Sequence, residues 1–117
     1  MDFVLTRFIE NMEHNYHFKV ALTLENKERN LYITINDSGL IDKLLDLEYV
    51  DKAVVPTFDH NKEVIGTHVK ETTSKIARQT KDNEVCIRIT EKDYGDKINK
   101  VDSLMRSYLA NHYPKFN

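Results

Sequence analysis

The sequence has few of the residues that punctuate or cross-link a chain: 3 Gly, 2 Pro, 1 Cys and no Trp among 117 residues. Three glycines leave little material for a phosphate-cradling loop, because such loops need positive φ angles and close backbone approach. The single cysteine, Cys86, excludes an internal disulfide framework and a multi-cysteine zinc site. It also fits a reducing compartment, so we expect a cytoplasmic protein.

Long hydrophobic runs are absent as well. The longest apolar runs span three or four residues, whereas a helix needs about 20 to cross a bilayer. Charged residues interrupt the apolar ones near the N-terminus, so we expect neither a membrane partner nor a secretory signal. With 40% apolar residues, 31% charged residues and a net charge of −2, the composition predicts one globular domain over residues 1–117.

The spacing of apolar residues predicts an α+β fold. Helical spacing predicts helices over residues 2–13, 39–48 and 94–112. Alternation of apolar and polar residues predicts strands over residues 17–25, 31–36, 50–58, 63–69 and 83–90. Residues 70–82 sustain no period, and Asp37 is placed to cap the second helix. The predicted order is α-β-β-α-β-β-β-α, in two layers with an antiparallel sheet and helices packed on one face.

The patterns that could carry catalysis are incomplete. The five histidines lack the spacing of a zinc site, so we expect no metal and no cofactor. Cys86 lies in the middle of a predicted strand, which favours a packed cysteine over an activated nucleophile. Asp42 and Asp46 lie on the exposed side of a predicted helix, without the burial that acid–base carboxylates need. We therefore expect no enzymatic activity.

Positive charge is concentrated in the second half of the chain. Residues 1–59 carry 6 basic and 11 acidic side chains, whereas residues 60–117 carry 11 and 8. The candidate anion or nucleic-acid contacts are Lys70, Lys75, Arg78 and Lys81. A strand would separate Lys75 from Arg78, whereas a helix would make them neighbours. A nucleic-acid- or nucleotide-binding regulatory domain is the alternative function.

The sheet face opposite the helices is the predicted docking surface. Tyr32 and Arg88 are residue types that are enriched at binding hot spots, and Lys19 lies on the same predicted face. Asp42 and Asp46 form an acidic helix face that suits a basic groove. We therefore predict a small non-catalytic interaction module that binds another protein as an adaptor, chaperone-like factor or inhibitor. The Lys-rich, Gly-poor composition suits a bacterium or its mobile elements, and a homodimer stays open.

Overall fold

The computed structural model describes residues 3–89 and 94–114, and it confirms the α+β class and the predicted order of elements. The helices are α1 (Phe3–Val20), α2 (Ser38–Asp46) and α3 (Tyr94–His112). The strands are β1 (Thr23–Lys27), β2 (Asn30–Thr34), β3 (Glu48–Phe58), β4 (Val64–Lys75), β5 (Ala77–Lys81) and β6 (Glu84–Arg88). Residues 70–82 thus complete β4 and add β5. No helix in the described ranges is long and apolar enough to cross a membrane.

Four strands form an antiparallel sheet in the order β1-β2-β6-β5. One face of this sheet is apolar and buried, with Ile33 of β2 paired to Leu24 of β1 and to Val85 of β6. α1 contacts β1, α2 contacts β5 and β6, and α3 contacts both other helices. The hydrophobic core therefore lies between the sheet and the helices.

The start of the first predicted strand is wrong, because α1 continues to residue 20. The buried side chains of α1 recur every four residues at Phe8, Met12, Tyr16 and Val20. This helical spacing continues through residues 17–20, where apolar and polar residues also alternate. The helix ends where Ala21 takes φ 52°. Phe18, which the alternation of the predicted strand over residues 17–25 would place on the face with Val20 and Leu22, is instead 95% exposed. Lys19 belongs to the last turn of α1 and not to the sheet face.

Asp37 joins the N-terminus of α2 to the C-terminus of α3. It is the N-cap of α2, as predicted, and its Oδ1 accepts a hydrogen bond from the backbone N–H of Leu40 at 3.1 Å. The Tyr108 hydroxyl donates to the same oxygen at 2.8 Å, and the Tyr113 hydroxyl donates to Oδ2 at 2.5 Å. Gly39 permits this approach, because a Cβ at that position would lie 2.6 Å from the Tyr108 hydroxyl oxygen.

The Asp37 cluster should make stability pH-dependent at both extremes. Burial alone would raise the pKa of Asp37, but hydrogen bonds from Tyr113, Tyr108 and the backbone outweigh burial and hold this pKa below 3.8. That stabilisation is present above the unfolded-state pKa and is lost as the pH falls through the folded-state pKa. The hydrogen bond to Asp37 raises the pKa of Tyr113 from 10.0 to about 12. The second contribution is therefore present below pH 10 and is lost as the pH rises towards 12.

Thermal melts of the native protein and two variants across this pH range test the assignment. Asp37→Asn keeps an N-capping oxygen but removes the carboxylate, so it should flatten the acid side of the stability profile. Tyr113→Phe should flatten the alkaline side. An acid side that is equally steep in Asp37→Asn would show that other carboxylates control acid unfolding.

Candidate functional site

The candidate functional site is a β-hairpin that projects from the body of the molecule. β3 and β4 form a separate two-stranded sheet, and residues 48–75 are called the arm here. At about 3.4 Å per residue, the 11 residues of β3 extend about 37 Å. The molecule accordingly measures 66 × 29 × 26 Å. Its Cα radius of gyration, 18.0 Å, exceeds the roughly 13 Å of a compact chain of this length.

One face of the arm carries five exposed apolar side chains. Val50, Val54 and Phe58 share this face because alternate residues of a strand point the same way. Val69 lies opposite Val54, and Val64 lies opposite Phe58. These five side chains are between 50% and 71% exposed. Lys52 and Glu71 lie on the same face and separate Val50 from the other four, which cluster towards the tip of the arm. Single exposed valines are ordinary, whereas a cluster of apolar side chains marks an interaction surface.

The other face of the arm is more polar. Asp51 lies opposite Thr72, and Ala53 lies opposite Lys70, on the side away from Val50 and Val54 and together with Val55. All four residues of the two pairs are exposed. The arm is therefore an amphipathic ribbon, although most of both its faces meets solvent.

Cross-strand contacts hold the arm in one shape. Lys52 Nζ lies 3.6 Å from Glu71 Oε1, and Thr57 Oγ1 lies 2.6 Å from His68 Nδ1. The first contact is an exposed ion pair, which contributes little free energy but fixes the register locally. Both contacts join β3 to β4.

The tip of the arm is a structured turn between the two predicted strands over residues 50–58 and 63–69. Asp59 Oδ1 accepts hydrogen bonds from the backbone N–H groups of Asn61 at 2.8 Å and Glu63 at 3.0 Å. Lys62 takes φ 65°, the left-handed conformation that closes the turn, and its N–H donates to the Asp59 carbonyl at 3.0 Å. The side chain of Asp59 thus organises the whole tip.

The base of the arm is fixed to the body by backbone and lysine contacts. The Ile76 N–H donates to the Leu47 carbonyl at 3.0 Å, and Lys100 Nζ donates to the Glu48 carbonyl at 3.0 Å. Ile76 is 5% exposed, so its side chain is part of the core. The arm therefore leaves the body from a buried anchor.

A pocket of about 320 Å³ lies beside this base. Its cationic lining residues are Lys75, Arg78, Arg88 and Lys97, and no described carboxylate lines it. We call it the basic pocket. Arg78 lies opposite Cys86 in the sheet, and its guanidinium donates to Cys86 Sγ at 3.7 Å. The pocket thus extends from the arm onto the sheet face that points away from the helices.

Tyr32 borders this region on the far side of Cys86. The two residues are opposite each other in the pairing of β2 with β6, so Tyr32 lies on the outer sheet face, as the alternation predicts. Electrostatic interaction with Cys86 raises the pKa of Tyr32, as do burial and the Cys86 hydrogen bond, while Arg78 acts in the opposite direction. Cys86 itself is buried at 1% exposure. The sheet face therefore offers Tyr32 and Arg88 to solvent but not the thiol.

Lys97 is a pocket residue that the sequence analysis missed. It is 5% exposed, its Nζ donates to the Arg88 carbonyl at 3.1 Å, and it lies 4.6 Å from the centroid of the Tyr49 ring. Its position four residues before Val101 puts it on the apolar stripe of the predicted helix. A lysine on such a stripe is unusual, and this position could have identified Lys97 from the sequence.

Two of the four predicted anion contacts line the basic pocket, and the other two lie elsewhere. Lys75 and Arg78 line the basic pocket, whereas Lys70 lies out on the arm and Lys81 lies opposite Glu84 at the end of β5. Neither a continuous strand nor a helix produces this arrangement. The strand is interrupted at Ile76, between β4 and β5. A continuous strand would point Lys75 and Arg78 to opposite faces, whereas the interruption lets both line the same pocket.

The other predicted partner contacts do not form one surface with Tyr32 and Arg88. Lys19 Nζ donates to the Pro114 carbonyl at 3.1 Å, next to the C-terminal helix. Asp42 is exposed on α2, and Asp46 Oδ1 lies 4.0 Å from Lys75 Nζ. The structure thus places Asp46 near the arm and Lys19 elsewhere.

Comparisons with known proteins give no indication of the function. A scan against protein-family models, a search of curated proteins and a search of solved structures each found no match. Within residues 3–89 and 94–114, no group of three His, Cys, Asp or Glu side chains is placed to hold a metal ion. The arm and the basic pocket are the two features that suggest function.

Proposed function

We propose that this protein is a non-catalytic, cytoplasmic interaction module whose arm inserts into a cleft of another protein. The observation that carries the proposal is the apolar cluster towards the tip of the arm, where Val54, Phe58, Val64 and Val69 are each more than half exposed. Burying apolar surface is the main favourable contribution to most protein association.

The dimensions of the arm favour a cleft over a flat partner surface. A ribbon about 37 Å long and about 10 Å wide offers roughly 400 Å² on one face. A stable complex buries about 800 Å² on each partner. Docking through one face, including two copies of the arm stacked together, falls short of that area. A cleft that covers both faces reaches it, with an apolar wall against Val54 and Val69.

Charge has a small part in this recognition. The arm holds 4 basic and 5 acidic side chains, and several of them are paired across the strands. An arm that is close to neutral neither repels a protein cleft nor attracts a polyanion. We therefore expect the partner to be selected by shape and apolar contact.

Paired substitutions on opposite faces of the arm test the proposal. Val54→Asn with Val69→Asn alters the apolar face, and Ala53→Asn with Thr72→Asn alters the polar face, one and three residues further from the tip. Each buried valine contributes about 1.5–3 kcal/mol, so the first variant should bind the partner at least about tenfold more weakly. The second variant should weaken binding much less than the first, because it removes no large apolar side chain.

Capture from a lysate of the source organism, followed by titration of the captured protein, provides the measurement. Size-exclusion chromatography with light scattering reports whether the captured species is a second copy of this chain. Equal binding by the two variants would contradict docking through the apolar face. Self-association that Val54→Asn with Val69→Asn abolishes would contradict the proposed cleft and assign the arm to dimerisation.

A further inference from the structure

We propose that the basic pocket binds the phosphate group of a small phosphorylated molecule, at a site separate from the surface used for docking by the arm. Arg78 and Arg88 are diagonal neighbours on adjacent strands, since Arg78 lies opposite Cys86 and Arg88 follows two residues later. Diagonal neighbours lie about 7–8 Å apart, a separation that two guanidinium groups can bridge around one oxyanion. Arginine pairs with phosphate through two parallel hydrogen bonds.

Both guanidinium groups retain unused donors. Arg78 donates to Cys86 Sγ, and sulfur is a weak acceptor. No described residue accepts a hydrogen bond from the Arg88 guanidinium, which is exposed. On the rim, Lys75 is paired instead: its Nζ lies 4.0 Å from Asp46 Oδ1 and 3.7 Å from Glu48 Oε1. Arg78 and Arg88 would therefore offer an oxyanion hydrogen-bond donors that the protein does not use internally.

Cations are concentrated at the pocket. Four cations line it in a protein of net charge −2, and Lys97 is one of them at 5% exposure. Buried charges are screened less by water and salt than exposed ones. The contacts of Lys97 to the Arg88 carbonyl and the Tyr49 ring make it a positioning residue that holds β6 against the arm.

The size of the pocket indicates a small ligand. Its 320 Å³ is at the lower end of the range for small-molecule sites, about 300–1,000 Å³. A phosphate group fills only part of it, and the lining side chains of Tyr49, Ile76 and Ala77 offer apolar contact to the rest of the molecule. A nucleic-acid strand needs an extended track of cations, and Lys70 and Lys81 do not continue this one.

Phosphorus NMR titrations with inorganic phosphate and with glycerol phosphate, at ionic strength held constant with sodium chloride, test this proposal. The pocket variant is Arg78→Gln with Arg88→Gln. The control, Lys43→Gln with Lys81→Gln, removes the same charge outside the pocket. The pocket variant should bind both probes at least about tenfold more weakly, and the control should stay within about twofold of native affinity. If the double variant melts abnormally, Arg88→Gln alone should still weaken binding by about threefold.

The outcomes separate this proposal from its competitors and from docking by the arm. Glycerol phosphate binding at least as tightly as inorganic phosphate supports a phosphate ester, and retained binding in Val54→Asn with Val69→Asn supports a separate site. Equal affinity of the native protein and the pocket variant, or exclusion of the ester, would overturn the proposal. Binding of a single-stranded oligonucleotide that tightens with length and weakens steeply with salt would overturn it in favour of a polyanion.

Discussion

A chain shortened to residues 1–93 should show no cooperative thermal unfolding. The core side chains that α3 supplies are Ile98, Val101, Met105, Tyr108 and Leu109. Burying side chains of this size contributes about 1.5–3 kcal/mol each. Their combined contribution is comparable with the whole free energy of unfolding of a small domain, about 5–15 kcal/mol. The shortened chain would also lose the hydrogen bond from Tyr108 to Asp37.

Circular dichroism melts of the shortened chain and of a full-length control test this expectation. Asn111→Ala changes an exposed position of the same helix, so it should melt within a few degrees of the native protein. A sharp, native-like transition in the shortened chain would show that the sheet and the other two helices fold without α3. The two-layer account of the core would then be wrong.

Deleting the arm should have the opposite pattern, with folding kept and partner binding lost. Tyr49 and Ser74 lie opposite each other at the base, so an Asn-Gly turn can replace residues 50–73 and close the hairpin there. The replaced side chains are almost all exposed. A change at a single exposed position usually alters the free energy of unfolding by less than about 0.5 kcal/mol, so the body should keep its fold. Capture of the partner should fall to background.

The same melts and the same capture measurement check this deletion. A large drop in melting temperature would show that the arm stabilises the body. Undiminished capture by the deleted chain would move the docking surface to the body. The control for both is the Ala53→Asn and Thr72→Asn variant, which keeps the arm.

The core of the fold was accessible from the sequence because its patterns had one interpretation. Alternation in β2 and β6 and the stripe of α3 each fitted one element and one buried face. The segment from Phe18 to Leu24 fitted two periods, since Val20, Leu22 and Leu24 are spaced for a strand and Val20 also continues the four-residue spacing of α1. The packing of α1 on the core decided in favour of the helix up to Val20.

The candidate site was harder to predict because it depends on tertiary placement. The valines of β3 resemble those of a buried strand, and nothing local indicates that the hairpin projects from the sheet. The basic pocket needs the break at Ile76 to bring Lys75 and Arg78 together, and it needs the packing of α3 to add Lys97. Turn and cap residues, such as Asp59 and Asp37, were predictable because their side chains bond to backbone groups only a few residues away.

Hydrogen exchange of backbone amides, in the free protein and in the complex with its captured partner, tests most directly whether the arm is the docking element. A two-stranded hairpin is only marginally stable in water, so the free arm should exchange much faster than β2 and β6. In the complex, we expect new protection along residues 50–58 and 64–73 and no change around Tyr32 and Arg88. Protection around Tyr32 and Arg88, or along α2, with an arm that still exchanges freely, would contradict the account.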